Sequence, residues 1–121
     1  MRQPVQSFVD IIVWQKVHTF VLRVYAETCA FPNEELYGLS SQFRRAAISV
    51  PANIAEGFRR KSTPEKARFL NISEGSLEEC RYYLILVHDL GYLDKTGLWE
   101  VSEEVGRLLN GYRTAIPTSN S

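Results

Sequence analysis

The chain has 121 residues, 45% hydrophobic and 23% charged, with a formal net charge of zero. That composition fits one folded domain spanning residues 1–121 around one modest core, and it excludes a disordered chain. No apolar run reaches the roughly 20 residues of a membrane span.

The start, MRQPVQSFVD, lacks the apolar stretch and small-residue cleavage site of a secretory leader, so a cytoplasmic protein is expected. Cys29 and Cys80 have no metal-type spacing and are expected as buried free thiols.

The first predicted helix covers about residues 10–30. Trp14, Val17, Val21, Val24 and Thr28 recur at steps of three and four, Val13, Phe20 and Leu22 widen the apolar face, and Asp10 is placed to cap it. Phe31-Pro32-Asn33 breaks the pattern. The second helix covers about 39–60, with Ser40 or Ser41 at its start. Its apolar stripe is Leu39, Phe43, Ala46, Ala47, Val50, Ile54 and Phe58. Pro51 falls inside it, which removes the donor to the Ala47 carbonyl at a cost of about 3 kcal/mol in an ideal helix. A kink is the expected result, with Ser49 and Asn53 placed to bond the loosened backbone. Arg45, Ser49, Asn53, Glu56, Arg59 and Arg60 gather opposite the apolar stripe.

Thr63-Pro64-Glu65-Lys66 opens the third helix, about 64–90, with Thr63 as the expected cap. Its stripe includes Phe69, Ile72, Ser73, Ser76, Leu77, Cys80, Tyr83, Leu84, Val87 and Leu90, and Gly91 is the expected stop. The fourth helix covers about 98–115 through Val101, Val105, Leu108, Leu109 and Tyr112, then frays into PTSNS. No segment alternates like a strand. Four amphipathic helices with short connections predict an all-α, antiparallel, up-down four-helix bundle with a proline-kinked second helix.

The neutral total hides an uneven distribution. Residues 44–68 hold seven basic and two acidic side chains, whereas residues 71–106 hold eight acidic and two basic ones. Such a split serves a polyanion, or joins the basic side of one copy to the acidic side of the next.

The stretch RRAAISVPANIAEGFRR, together with VWQKVHTFVLRVYAET, FPNEELYGLSSQFRRA and RFLNISEGSLEECRYYLILVHDLGYL, resembles the rRNA intervening-sequence proteins over about residues 8–93. The resemblance implies an up-down four-helix bundle assembled as a homopentameric ring, with a poorly defined biochemical role. A similar bundle serves diversity-generating retroelements as a basic pentameric accessory protein that binds nucleic acid and a reverse transcriptase. This chain departs from it in being neutral.

The expected function is therefore a non-enzymatic oligomeric module whose partner is RNA or a nucleic-acid-handling protein. Arg44, Arg45, Arg59, Arg60 and Lys61 are the candidate phosphate contacts, because a guanidinium donates two parallel hydrogen bonds to phosphate. Phe58 and Tyr37 are the candidate stacking residues. Ser49, Pro51, Asn53 and Glu56 form a candidate structural or subunit-interface motif. Trp14, Trp99, Phe43 and Phe58 are aromatic candidates for subunit contacts, with core burial expected for Trp14.

A structural ring that scaffolds other components is the alternative. A third reading takes Arg81 and His88, two turns apart on one helix face. Their spacing resembles the metal-independent ribonucleases of the HEPN class, where the histidine helps move a proton and the arginine steadies phosphate charge. Asp89 is placed to orient His88, but Tyr82 stands where those enzymes carry a polar residue. Gly57, Gly75 and Gly91 are isolated and form no phosphate loop, His18 stands alone, and Glu74, Glu78 and Glu79 lack the histidine of a carboxylate metal motif. No cofactor, metal or small-molecule substrate is expected.

Overall fold

Side chains that repeat every three to four residues bury one stripe of a helix, and four such stripes enclose the core. In the computed structural model, which describes residues 5–116, the helices are α1 (Ile12–Thr28), α2 (Leu39–Arg59), α3 (Thr63–Asp89) and α4 (Thr96–Thr114). Short 3-10 turns, Phe8–Asp10 and Asn33–Glu35, precede α1 and α2. The described residues contain no strand. The predicted fraying of residues 117–121 lies outside the described residues.

Each helix packs beside its neighbours, α1 on α2 and α4, and α3 on α2 and α4, with α2 against α3 the most extensive pair. Across the α2–α3 seam, Lys66 reaches the Gly57 and Phe58 carbonyls, Ser73 meets Val50 and Ser76 meets Ser49. Across α3–α4, Glu74 meets Arg113 and Arg81 meets Trp99. Across α1–α4, Lys16 pairs with Glu104 and Arg23 approaches Gly97. In all three seams the numbering rises on one helix as it falls on the other, so these neighbours run in opposite directions. Phe20, Phe43, Ile54, Leu70, Leu84, Leu98 and Leu109 fill the core with a layer of valines. Each such side chain contributes about 1.5–3 kcal/mol by leaving water.

Several local expectations shift. Asp10 does not cap α1. Its carboxylate accepts the Gln6 and Ser7 N–H groups and closes the preceding 3-10 turn, and α1 starts after Ile11. Gly38, rather than Ser40 or Ser41, precedes α2, and Ser40 is buried inside it. Ser62 caps α3 by accepting the Glu65 N–H, which leaves Thr63 and Pro64 as its first two residues. The fourth helix begins two residues early, at Thr96.

Leu22, Ile72, Leu90 and Leu108 face solvent to between 37% and 57%. In a four-sided bundle only the inward sector of each helix is covered, so the margins of an apolar stripe stay wet. Cys80 is buried, but Cys29 is exposed, one residue past the end of α1. Gly91 ends α3 as expected. Its φ of +80° is left-handed, and the Gly91 and Tyr92 N–H groups reach back to the His88 and Val87 carbonyls. The Tyr92 hydroxyl then donates to Glu35, which ties this turn to the α1–α2 connection.

Candidate nucleic-acid interface

The stretch SVPANIAEG is the α2 half of the α2–α3 seam. Ala46 and Gly57 are buried and small. A Cβ placed on Gly57 would lie 3.3 Å from Phe69 Cβ and 3.4 Å from the Lys66 carbonyl oxygen, so the two backbones approach closely there. The helix runs through Pro51 without a break from Leu39 to Arg59. Carbonyls in the turn of Pro51 gain side-chain donors. Asn53 Nδ2 donates to the Ser49 carbonyl at 2.8 Å, and Ser73 Oγ donates to the Val50 carbonyl at 2.5 Å. The Ser49 and Ser76 hydroxyls join at 2.7 Å. Ser49 and Asn53 are thus engaged within the chain, and Glu56 pairs with Arg60 at 2.7 Å.

The predicted cations separate into three places. Arg44 is a staple between α1 and α2. Its Nε donates to Thr28 Oγ1 at 2.7 Å, Nη2 approaches Cys29 Sγ at 3.8 Å, and its guanidinium covers the Tyr25 ring. These contacts leave it half-buried in the α1–α2 seam. Arg45 is exposed on the second turn of α2. Arg59, Arg60 and Lys61 stand at the α2–α3 corner, fourteen residues further on, or about 21 Å along the helix.

The helix hairpin brings Arg68 to that corner. The guanidinium groups of Arg60 and Arg68 lie 4.8 and 5.3 Å from the centre of the same Phe69 ring. Lys66 is used differently, since its ammonium caps the last carbonyls of α2 at Gly57 and Phe58. Among the described residues, Arg45, Arg59, Lys61 and Arg68 form no ion pair, and all four are exposed.

Sequence reading missed Arg68 as a site residue. The available signal was its place next to an aromatic, just inside the helix that follows Arg59–Lys61. The stacking candidates do not meet: Tyr37, 93% exposed, precedes α2, whereas Phe58 lies in its last turn, packed on the core. Phe43 is fully buried, and Trp14 is half-buried and stacked on His18.

Arg81 lies in a groove of about 500 Å³ between α3 and α4, held by Glu78 at 3.2 Å with its guanidinium over Trp99. Lys95 approaches the same ring. His88 does not line that groove, and its Nδ1 accepts the Lys95 N–H at 3.2 Å. Asp89 makes no hydrogen bond to His88 among the described residues. No three His, Cys, Asp or Glu side chains converge as a metal site among the described residues, and no helix among them is long and apolar enough to cross a membrane.

These features define an all-α four-helix bundle with a tight α2–α3 hairpin and a basic corner. The profile of the 23S rRNA-intervening sequence protein family matches residues 9–111, and the chain belongs to that family. Its fold is similar to the crystal structure of a protein of unknown function from the S23 ribosomal protein family of Bacteroides thetaiotaomicron. The two share 23% identity with a TM-score of 0.78, over 86% of this chain and 96% of that one. Comparison with curated proteins finds no match.

Proposed function

We propose that this protein is a non-enzymatic, cytoplasmic homo-oligomer, a pentamer by family resemblance, that binds RNA through the α2–α3 corner. The observation that carries the reading is the group of unpaired, exposed cations Arg59, Lys61 and Arg68 beside Arg60 and the Phe69 ring. Cations without carboxylate partners are free to replace the counterions of a phosphate backbone, and an aromatic among them offers a stacking surface. Arg44 has no part in this binding, because Thr28 and Tyr25 hold it. The reading assigns no catalysis to Arg81 and His88: an Arg81 Nη is held by Glu78, His88 Nδ1 accepts the Lys95 N–H, and His88 does not line the groove that holds Arg81.

Light scattering with a short single-stranded RNA at low salt tests it. The expected result is an oligomer whose mass rises with RNA, with an affinity that falls steeply as salt is added. Replacing Arg59 or Lys61 by Ala should each lower the salt slope by about 1. An oligomer indifferent to RNA at low salt would refute the RNA reading.

A further inference from the structure

The outer face of α2 and the groove between α3 and α4 take no part in the RNA reading. Arg45, Ile48 and Ala52 follow one another along the outer face at steps of three and four, all exposed, with Ile48 at 42%. On α1, Tyr25 lies beneath Arg44, and Leu22, nearly one turn before it and 57% exposed, extends the apolar strip.

The groove exists because α4 turns small residues toward α3. Ser102 and Gly106 open it, and Leu77 forms its floor beside Gly106. Glu74 and Glu78 are neutralised by Arg113 and Arg81. Glu103 and Arg107, which line the groove one turn apart, are exposed and form no ion pair among the described residues.

We infer that the occupant of this groove is the α2 face of a second copy of the chain. Arg45 of one copy meets Glu103 of the next, Ile48 lies over Gly106 and Leu77, and Ala52 lies beside Asn110. The spacing supports the match. Arg45, Ile48 and Ala52 are separated by three and four residues, and so are Glu103, Gly106 and Asn110. Two helices laid side by side in the same direction hold all three pairs in register over about 10 Å.

Arg45 and Glu103 are unpaired charges of opposite sign. Arg107, an unpaired cation one turn beyond Glu103 in the same groove, would oppose Arg45 in a register slipped by four residues, so this register is favoured over that one. The exposed isoleucine seats closely where the opposing helix carries a small residue. The two surfaces differ, so the contact is head-to-tail and repeats around a ring. This inference rests on the oligomeric reading above and specifies its interface.

The test is the molar mass of the full chain in solution at near-physiological salt. Arg45→Glu and Glu103→Arg should each shift the mass from the oligomer toward the 13.9 kDa monomer, and the double variant should restore the oligomer. Gly106→Phe, which fills the groove, should dissociate it as well. Gly106→Ala should not, because its Cβ would sit 3.6 Å from Leu77 Cδ2, an ordinary contact. Circular dichroism melts close to wild type would show that the variants fold.

An oligomeric wild type whose three dissociating variants keep their mass would overturn this interface and leave the oligomeric reading intact. Dissociation by both charge reversals without rescue in the double variant would overturn the Arg45–Glu103 pairing. A monomeric wild type would overturn the oligomeric reading, and the interface with it.

Discussion

Ser73 on α3 donates its hydroxyl to the carbonyl of Val50, the residue immediately before Pro51 on α2. Both residues are fully buried. The bond adds a donor from the neighbouring helix to the carbonyl next to the proline, whereas the carbonyl that Pro51 leaves without a helical donor is that of Ala47. Replacing Ser73 by Ala should lower stability by about 1 kcal/mol, the usual net worth of such a bond. Urea unfolding should show this as a lower midpoint at unchanged slope. An unchanged midpoint would mean that the Val50 carbonyl does not depend on Ser73.

Gly57 sets how closely the same two helices approach. A Cβ there meets the Phe69 Cβ and the Lys66 carbonyl, and the carbonyl is backbone that cannot rotate away. Gly57→Leu should therefore destabilise by about 2–3 kcal/mol through overpacking, despite leucine's better helix propensity. A variant with wild-type stability would show that the seam can open at no cost.

The sequence shows the four helices because their stripes are long and Thr63-Pro64-Glu65 and Gly91 are chemically explicit boundaries. It conceals what depends on neighbours brought together from a distance. Arg44 and Arg45 are adjacent and chemically identical, yet a 100° turn directs one to Thr28 and Tyr25 and the other to solvent. Nothing local distinguishes them, since Thr28 lies sixteen residues earlier. Arg68 was visible as a charge, but only the hairpin places it on the same ring as Arg60. Ser49 and Asn53 read as a polar outer face because a helical wheel contains no partner helix. Ser76 across the seam makes Ser49 internal.

The separation of the arginines gives opposite phenotypes. Arg44→Ala removes the donor to Thr28 and the cover over Tyr25, so it should lower stability by about 1–2 kcal/mol and leave RNA affinity unchanged. Arg59→Ala should leave the melting temperature within a degree or two and weaken RNA binding at low salt. Paired melting and fluorescence-anisotropy titrations decide it. The reverse pattern would move the interface from the corner to the α1–α2 seam.

Asp94 supports the start of α4 in a pH-dependent way. Its carboxylate accepts the Thr96 N–H at 2.9 Å and the Thr96 hydroxyl at 2.7 Å, and these bonds, the backbone one foremost, hold its pKa below the ordinary aspartate value. A carboxyl depressed in the folded state binds fewer protons there than in the unfolded chain. Its contribution is therefore complete above the unfolded value near 4 and is lost as pH falls from there through the folded pKa. Asp94→Ala should melt below wild type at pH 7, and the gap should narrow steadily below about pH 4. A gap that stays constant down to pH 2 would assign the effect to something other than this titration.

The two thiols should react on different schedules. Cys29 is exposed, while Cys80 is buried in the core, where burial first and the nearby Glu79 charge second push its pKa up to about 12. The thiolate is the reactive form, so at pH 8 Cys80 is both inaccessible and protonated. A disulfide-exchange reagent should titrate one thiol rapidly in the native protein and the second only in denaturant. The slow phase then follows the opening of the bundle. Destabilising Gly57→Leu or Ser73→Ala variants should raise the logarithm of its rate in proportion to their loss of stability when opening and closing are fast relative to the chemistry. Rapid modification of both thiols in native buffer would mean that the core around Cys80 opens locally without unfolding of the bundle.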